Sequence, residues 1–441
     1  MNSLKRFVLT AVVSVLWCVG ASAQQHVSLS KIERFAQDTL FKNAHVGFVL
    51  LDEETGKWVE EYNADKYFVP ASNTKIFTTY ASLKYLKDSL PGFYYHETKD
   101  TLYLKPNADP TFLNKDFEEQ KVFDKIRNTN KTVVIEKAPS IGVTRMGRGW
   151  SWSSYQSSGM SERTVMPIYA NLVRFVKHGN NIIAAPRYFQ RSTKVYGTID
   201  GKRTNVTRNM DDNTFVARPS NINVLVRPFT HKSDPDLAYK LLQDTLASLN
   251  KNIEILATQK RPQGFWKPFY THKTEDVIRP MMYESNNFMA EQLLIMAGTQ
   301  INGQLNEQLA INHINKNDLA DLSSKFIWYD GSGLSRYNNV TPRALAELLV
   351  KMKKEFGWDK VSRVMLTGNS GTLTGYFVGH EKNIYVKGGR LGNNVLSLTG
   401  YLITKKGNRY IFSFQSNNQY KDPTLVRRAF ERYLIDIIEE Q

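Results

Sequence analysis

Apolar and polar residues alternate in blocks near the start of the chain, and the blocks predict a β-hairpin followed by a helix. An apolar run at residues 46–51 is followed by a polar turn at residues 52–56 and a second strand-like stretch at residues 58–62. After the hairpin, apolar residues recur at helical spacing. They are Ile76, Tyr80, Leu83 and Leu86.

The C-terminal part repeats this combination of strands and helix. Residues 383–387, 396–404 and 409–415 have the pattern of three strands, and residues 422–440 keep helical spacing. Strands at both ends of a chain, with helices between and after them, favour one α+β domain assembled from the two ends.

The middle of the chain, residues 96–261, has a different texture. Short strand-like stretches, such as residues 101–104 and 132–135, are separated by long polar loops rich in Asn, Arg, Ser and Thr. This pattern predicts an inserted, mostly β region, long enough for one or two small domains. The flanking parts, residues 24–95 and 262–441, would then form one discontinuous domain.

The first 23 residues predict export. Lys5 and Arg6 precede an apolar stretch, and small residues follow it at positions 21–23, which is the pattern of a cleavable signal peptide. The stretch is shorter than the about 20 apolar residues of a membrane anchor. The residues around Cys18, the only cysteine, depart from a lipid-anchor signal. We therefore predict that residues 1–23 are removed and that the mature chain reaches the periplasm or cell envelope.

The charge balance points to an anionic surface rather than to nucleic acid. The chain has 58 Lys and Arg against 42 Asp and Glu, a formal net charge of +16. Such an excess favours contact with an anionic envelope polymer or a membrane surface. The basic residues are spread along the chain without any RNA- or DNA-binding motif, so no nucleic-acid partner is expected. No later segment is long and apolar enough to span a bilayer, so at most peripheral membrane association is expected.

The first candidate for chemistry is the tetrapeptide Ser72-Asn73-Thr74-Lys75, at the start of the predicted helix. Residues three positions apart on a helix are neighbours, so the Lys75 amine would lie within hydrogen-bonding reach of the Ser72 hydroxyl. A neutral lysine can take the hydroxyl proton once burial or neighbouring cations have lowered its usual pKa of about 10.4. Free N–H groups at the helix N-terminus can bind an oxyanion. We therefore predict a serine nucleophile, Ser72, and its lysine base, Lys75.

A Ser-x-x-Lys pair alone is weak evidence. A second copy at residues 28–31 indicates a helix start instead, with Ser30 as the N-cap and Glu33 completing a capping box. The same interpretation, a cap without a catalytic role, is open for Ser72 when that motif is taken alone.

A second motif, Ser285-Asn286-Asn287, opens another predicted helix. The Ser285 hydroxyl would relay a proton between Lys75 and the leaving amine. The Asn287 amide, with both donors and an acceptor, would hold the substrate backbone.

A third motif, Lys387-Gly388-Gly389, ends a predicted strand. Lys387 would add positive potential near the base, and the two glycines would let a peptide backbone come close alongside the strand. The N–H of the next residue, Arg390, would form the oxyanion hole together with that of Ser72.

In this order, the three motifs resemble those of the penicillin-binding proteins of the D-alanyl-D-alanine carboxypeptidase/endopeptidase type, the class C low-molecular-mass group. Further stretches are similar to that family, so the resemblance covers most of the mature chain. They are residues 107–112, 149–152, 330–336 and 368–373. The long interval between Ser72 and Ser285 also looks like that group, whose members carry large insertions.

The resemblance implies a fold and a substrate class. The fold would be α+β, of the serine β-lactamase/DD-transpeptidase type, with an antiparallel sheet, flanking helices and inserted β-rich domains. The substrates would be peptidoglycan peptides, either stem peptides ending in D-Ala-D-Ala or cross-links between them. β-Lactam antibiotics would acylate Ser72 as substrate mimics. Carboxypeptidase and endopeptidase activity are both compatible with these motifs, as are a monomer and an oligomer.

The third motif departs from the family pattern. The family usually has Thr in its middle and a small hydroxyl residue just after it, where this chain has Gly388 and Arg390. The missing hydroxyls weaken binding of a terminal carboxylate, and we hypothesise that the Arg390 guanidinium replaces them with a bidentate contact. The departure keeps a second interpretation open, a binding or scaffold protein that retains the fold with little or no catalysis.

Two other enzyme classes are disfavoured. A β-lactamase would have a shorter interval between the first two motifs and an identifiable base for deacylation. A zinc peptidase would have a second histidine at ligand spacing after His380-Glu381, which this chain lacks. We therefore expect neither a metal nor a cofactor.

Overall fold

The computed structural model describes residues 29–137, 143–178, 181–197, 205–218, 224–249, 255–258 and 264–440. The predicted signal peptide, residues 1–23 with Cys18, lies outside the described residues. Within the described ranges, no helix combines the length and apolar content that a bilayer crossing requires.

Helices and strands are numbered in chain order over the described residues. The α-helices are α1 (Lys31–Ala36), α2 (Lys75–Tyr85), α3 (Lys121–Asn128), α4 (Leu237–Ser248), α5 (Thr274–Tyr283), α6 (Asn287–Asn302), α7 (Glu307–Asn317), α8 (Pro342–Phe356), α9 (Trp358–Val364) and α10 (Pro423–Glu440). The strands are β1 (His45–Asp52), β2 (Trp58–Tyr62), β3 (Ser89–Glu97), β4 (Thr101–Pro106), β5 (Thr132–Glu136), β6 (Leu172–His178), β7 (Asn181–Ala185), β8 (Thr193–Val195), β9 (Asn205–Arg208), β10 (Phe215–Arg218), β11 (Val224–Pro228), β12 (Ile255–Thr258), β13 (Lys267–Lys273), β14 (Leu366–Thr367), β15 (Ile384–Leu391), β16 (Val395–Ile403) and β17 (Arg409–Asn417).

A six-stranded antiparallel sheet contains strands from both ends of the chain, in the order β14-β15-β16-β17-β1-β2. Helix α10 covers one face, where Phe430 stacks on Phe414 with 4.0 Å between ring centroids. Helix α8 lies on the other face, where the Tyr401 hydroxyl donates to the Leu349 carbonyl at 2.7 Å. Because both faces are covered, β1 is buried along most of its length.

Strand β15 is longer than predicted. The prediction ended it at residue 387, whereas it continues through Gly388 and Gly389 to Leu391. Glycine weakens a strand interior, but here the register with β16 holds it, with Gly389 opposite Ser397. The third motif therefore lies inside a strand.

Helices α2 and α6 form the centre of the helical layer. Residues 75–83 of α2 and 288–298 of α6 are buried on nearly all sides, which explains why both sequences are apolar around much of the helix. The predicted capping box before α1 is confirmed: the Ser30 hydroxyl accepts from the Glu33 N–H at 3.2 Å, and the Glu33 carboxylate accepts from the Ser30 N–H at 2.7 Å.

The remaining sheets share a second hydrophobic core. A five-stranded sheet runs β12-β5-β4-β3-β13, and two three-stranded sheets, β11-β6-β7 and β8-β10-β9, lie beside it. The strands predicted near residues 101 and 132 are β4 and β5. The five-stranded sheet combines residues 89–97 and 267–273, from either side of the predicted region 96–261, and the domain boundaries stay a prediction.

Candidate active site

Ser72 lies in a single 3-10 turn, Ala71–Thr74, immediately before α2. Ser72 and Lys75 therefore lie at the start of a helix, as predicted, with the first turn in 3-10 rather than α geometry. Ser72 does not act as an N-cap, because Pro70 occupies that position and no side chain caps the turn. The turn begins at Ala71 with a positive φ of 47°, a conformation that non-glycine residues keep only when the surroundings impose it.

The Lys75 amine lies at the centre of the site. Its Nζ is 3.0 Å from Ser72 Oγ, 2.7 Å from Asn287 Oδ1 and 2.8 Å from the Ser332 carbonyl. A neutral amine has two N–H donors and one lone pair. When these two donors bind Asn287 Oδ1 and the Ser332 carbonyl, the lone pair is left to accept the Ser72 hydroxyl proton.

The surroundings of Lys75 make the neutral amine accessible near neutral pH. The side chain is completely buried. Burial lowers the pKa of Lys75 to about 7, while the negative charges of Asp330 and Glu291 act in the opposite direction. A base with this pKa can accept a proton from serine at physiological pH.

Ser285 and Lys387 form a second serine–lysine pair. Lys387 Nζ donates to Ser285 Oγ at 3.1 Å and to the Gly388 carbonyl at 2.6 Å. Burial, with smaller contributions from Lys75 and Arg427, lowers the pKa of Lys387 well below its usual range. The lysine partner of Ser285 in this structure is therefore Lys387, and the predicted relay between Ser285 and Lys75 stays a prediction.

The two asparagines of the second motif have different roles. Asn286 is the N-cap of α6 and accepts from the Met289 N–H at 3.1 Å. Asn287 accepts from Lys75 with Oδ1 and donates to the Gly159 carbonyl with Nδ2 at 3.0 Å. Its predicted role as a ligand of the substrate backbone stays a prediction.

Strand β15 brings the third motif against the serine turn. A Cβ atom at Gly389 would lie 2.2 Å from Ser397 Oγ, 2.9 Å from Ser72 N and 3.0 Å from the Pro70 carbonyl. At Gly388 the nearest atom would be 3.8 Å away. Of the two glycine positions, Gly389 is therefore closed to a side chain and Gly388 is not.

The edge of β15 is open beside the site. Among the described strands, β14 pairs with β15 only at Tyr385 and Val386. Beyond Val386, no described strand pairs with this edge, but side chains already bind two carbonyls of β15. Asn73 donates to the Lys387 carbonyl at 2.6 Å, and Lys387 Nζ donates to the Gly388 carbonyl at 2.6 Å. An extended peptide would have to pair with the backbone groups that remain.

Arg390 is exposed, and its guanidinium folds back onto its own hairpin. Nε donates to the Gly392 carbonyl at 3.0 Å and Nη2 to Asn393 Oδ1 at 2.6 Å. A substrate carboxylate would have to displace these contacts or bind the Nη1 group. The carboxylate role of Arg390 stays a prediction.

The loop at residues 330–338 belongs to the site, although the sequence interpretation gave it no role. The Asp330 carboxylate accepts from Gly333 N at 2.9 Å, Ser335 N at 2.6 Å, Asn338 Nδ2 at 2.7 Å and Trp150 Nε1 at 2.8 Å. These bonds fix the loop whose serine carbonyl accepts from Lys75.

Two glycines allow the backbone of this loop to pack closely against the serine turn and α6. A Cβ at Gly331 would lie 2.5 Å from the Ala290 carbonyl, and one at Gly333, where φ is 86°, would lie 1.9 Å from the Ala71 carbonyl. The Asp-Gly-Ser-Gly stretch was the available signal in the sequence, because two glycines around one serine indicate close backbone approach.

Taken together, these features define a class of protein. A serine hydroxyl contacts a buried lysine, a second serine–lysine pair lies in the same site, and an open strand edge passes the serine N–H. This arrangement suits acyl transfer by a serine hydrolase whose base is lysine.

The comparison with known families agrees with this class. The family model of D-Ala-D-Ala carboxypeptidase 3 (S13) matches residues 28–435, and the chain belongs to this family. The resemblance to the carboxypeptidase-type penicillin-binding proteins is thereby confirmed, and so, at the level of the family, is the prediction of a serine-type D-Ala-D-Ala carboxypeptidase hydrolase.

Individual relatives are more distant. Penicillin-sensitive carboxypeptidase A of Dictyostelium discoideum is 29% identical over 192 residues, which cover 38% of this chain and 35% of that relative. Penicillin binding protein 4 of Haemophilus influenzae has a TM-score of 0.74 and 21% identity, over 93% of this chain and 99% of that one. The same protein complexed with a β-lactam has a TM-score of 0.69 and 19% identity over the same shares. A predatory peptidoglycan endopeptidase from Bdellovibrio bacteriovorus has a TM-score of 0.52 and 14% identity, over 90% and 92%. These structural likenesses confirm the predicted fold class.

Proposed function

We propose that this protein is an exported serine DD-peptidase that cleaves peptidoglycan stem peptides or their cross-links through an acyl-enzyme on Ser72. The observation that carries the proposal is the buried Lys75 amine, 3.0 Å from Ser72 Oγ and held by two further acceptors. Membership of the D-Ala-D-Ala carboxypeptidase family supports the substrate class.

The proposed first step transfers an acyl group to Ser72. The Ser72 Oγ attacks the carbonyl carbon of the penultimate D-Ala, and its proton passes to the neutral Lys75 amine. The N–H groups of Ser72 and Arg390 bind the resulting oxyanion. Collapse of the tetrahedral intermediate breaks the peptide bond. The proton that Lys75 accepted passes through the Ser285 hydroxyl to the leaving amine, which leaves Lys75 neutral again. Lys387 Nζ holds the Ser285 hydroxyl with a hydrogen bond of 3.1 Å.

The second step returns the enzyme to its initial state. A water molecule attacks the ester carbonyl and gives up a proton, which returns to the Ser72 oxygen as the ester bond breaks. β-Lactams would acylate Ser72 by opening their own amide ring. The β-lactam complex of the Haemophilus influenzae relative supports this class of inhibitor.

The proposal includes location and organisation. Residues 1–23 would direct the chain to the periplasm or cell envelope, with at most peripheral contact with a membrane. Residues 24–95 and 262–441 would form the catalytic domain around the site, and residues 96–261 would be the insert.

Peptidoglycan fragments test the function directly. We expect the wild-type protein to release D-Ala from a disaccharide pentapeptide or to cleave a cross-linked dimer. Ser285→Ala is expected to slow either reaction by about a hundredfold, because the leaving amine loses its proton donor. Product release measured by liquid chromatography and mass spectrometry checks both statements.

The chain offers a matched control for that variant. Ser416-Asn417-Asn418 repeats the second motif at the end of β17. Gln415 points to the serine turn, where its Nε2 donates to Asn73 Oδ1 at 3.2 Å, so the next residue, Ser416, points to the opposite face of the sheet. Ser416→Ala should therefore leave the rate close to that of the wild type. A folded wild-type protein that produces neither product would favour the scaffold interpretation, in which Gly388 and Arg390 mark lost catalysis.

A further inference from the structure

Two polar side chains of α6, Asn287 and Gln292, form hydrogen bonds with residues 159–164, in the middle of the chain. Asn287 Nδ2 donates to the Gly159 carbonyl at 3.0 Å. One turn further on, Gln292 donates to the Thr164 carbonyl at 2.8 Å and accepts from the Thr164 N–H at 3.1 Å. Residues 159–164 therefore run along α6 in direct contact with its polar side chains.

Arg163 is the charged member of this contact. Its guanidinium lies 3.3 Å from Glu291 on α6 and 2.9 Å from Glu307 on α7, and the three side chains are only 2%, 1% and 8% exposed. Arg163 Nε also donates to the Thr144 carbonyl at 2.9 Å, and the guanidinium lies 5.4 Å from the centre of the Trp150 ring. A buried cluster of this kind persists only when its geometry is well satisfied.

This cluster reaches Lys75 through one residue. Glu291 Oε1 accepts from the Ser332 N–H at 2.8 Å, and the Ser332 carbonyl accepts from Lys75 Nζ at 2.8 Å. Apart from Ser72, the lysine has two acceptors, and both are held by residues 159–163. Asn287 is held by the Gly159 carbonyl, and Ser332 is held through Glu291 by Arg163.

Few charged side chains face the Lys75 amine and the Glu291 carboxylate. Glu291, Asp330 and Lys387 face Lys75, while Arg163, Glu307 and Asp330 face Glu291. Burial raises the pKa of Glu291 to about 7, and Arg163 opposes the rise. Arg163 thus favours the ionised carboxylate, which in turn favours protonation of Lys75.

We propose that Arg163 and Glu291 are positioning residues, through which the middle of the chain holds the Ser332 carbonyl and sets the charge around the Lys75 amine. The pair then determines the pH range in which Ser72 is activated. This inference rests on the proposed function, because it concerns the base of that reaction.

The test is the pH dependence of the acylation rate with benzylpenicillin, followed by intact mass. Glu291→Gln keeps an acceptor for the Ser332 N–H and removes the negative charge, so the pKa of Lys75 falls. The acid limb of the profile is expected to move down by about one pH unit. Arg163→Gln should move it in the same direction, because Glu291 then takes up a proton. The double variant should match the single ones, because both act through one charge.

Two variants separate charge from structure. Arg163→Lys keeps the positive charge and should restore the wild-type acid limb. Gln292→Met removes hydrogen bonds between α6 and the same residues without changing any charge, and should leave the acid limb in place. An unchanged limb in Glu291→Gln, or an equal shift in Gln292→Met, would overturn the inference.

The outcomes also separate this inference from the proposed function. A wild-type protein that is never acylated would overturn the function, and this inference with it. A wild-type protein that is acylated, with all variants sharing its pH profile, would overturn the inference alone. If circular dichroism shows that Arg163→Gln does not fold, Glu291→Gln and Gln292→Met decide the question.

Discussion

Replacement of Lys75 by methionine is expected to slow acylation of Ser72 by benzylpenicillin by about a thousandfold at neutral pH. Methionine fits a buried, elongated site, but it has no lone pair on nitrogen to take the serine proton. The change also leaves Asn287 Oδ1 and the Ser332 carbonyl without their donor, at a cost of about 1–3 kcal/mol each. Rates come from intact mass at timed quenches, and thermal denaturation monitors the fold.

Lys84 provides the matched control on the same helix. Lys84 lies at the opposite end of α2 from Ser72. Its amine forms ion pairs with Asp318 at 2.9 Å and Glu355 at 3.3 Å. Lys84→Met should therefore leave the acylation rate close to that of the wild type. If Lys75→Met were acylated as fast as Lys84→Met, another group would have to be the base.

Replacement of Gly389 by alanine is expected to slow acylation by about a hundredfold, because a misplacement of about 1 Å at a reacting centre has effects of this size. The added methyl group would meet Ser397 Oγ at 2.2 Å and the Ser72 N–H nitrogen at 2.9 Å. Either the strand or the serine turn must move, and the two proposed oxyanion donors separate. The second-order rate constant with benzylpenicillin measures the loss.

The neighbouring glycine makes the comparison specific. A methyl group at Gly388 would meet nothing closer than 3.8 Å, so Gly388→Ala should be acylated at close to the wild-type rate. If both variants lost the same fraction of the acylation rate, general damage to β15 would be indicated. If both kept the wild-type rate, the close contact of Gly389 with the serine turn would not matter for acylation.

Local patterns in the sequence were sufficient for much of the fold. The apolar run at residues 46–51 and the turn after it predicted the first hairpin, because a hairpin is specified by neighbouring residues. The capping box at Ser30 was likewise predictable from residues three apart. The end of β15 was missed, because its glycines are held in the strand by pairing with β16 rather than by their own preference.

The surroundings of the site were less predictable. Asn73, a neighbour of the proposed nucleophile, donates to the Lys387 carbonyl at 2.6 Å and accepts from Thr399 at 2.7 Å. Arg163 and Glu291 meet across 128 positions of the chain. Such partners depend on tertiary packing. A local sequence pattern does not indicate which distant residue a buried polar side chain will contact. The motif residues could therefore be predicted, but not the groups that hold them.

The most direct test of the central claim is the intact mass of the purified protein after incubation with benzylpenicillin, beside Ser72→Ala. We predict one covalent adduct with the mass of one benzylpenicillin on the wild type and none on the variant, with both proteins shown to be folded. A folded wild-type protein without an adduct, or an adduct that persists in Ser72→Ala, would contradict the assignment of Ser72 as the nucleophile.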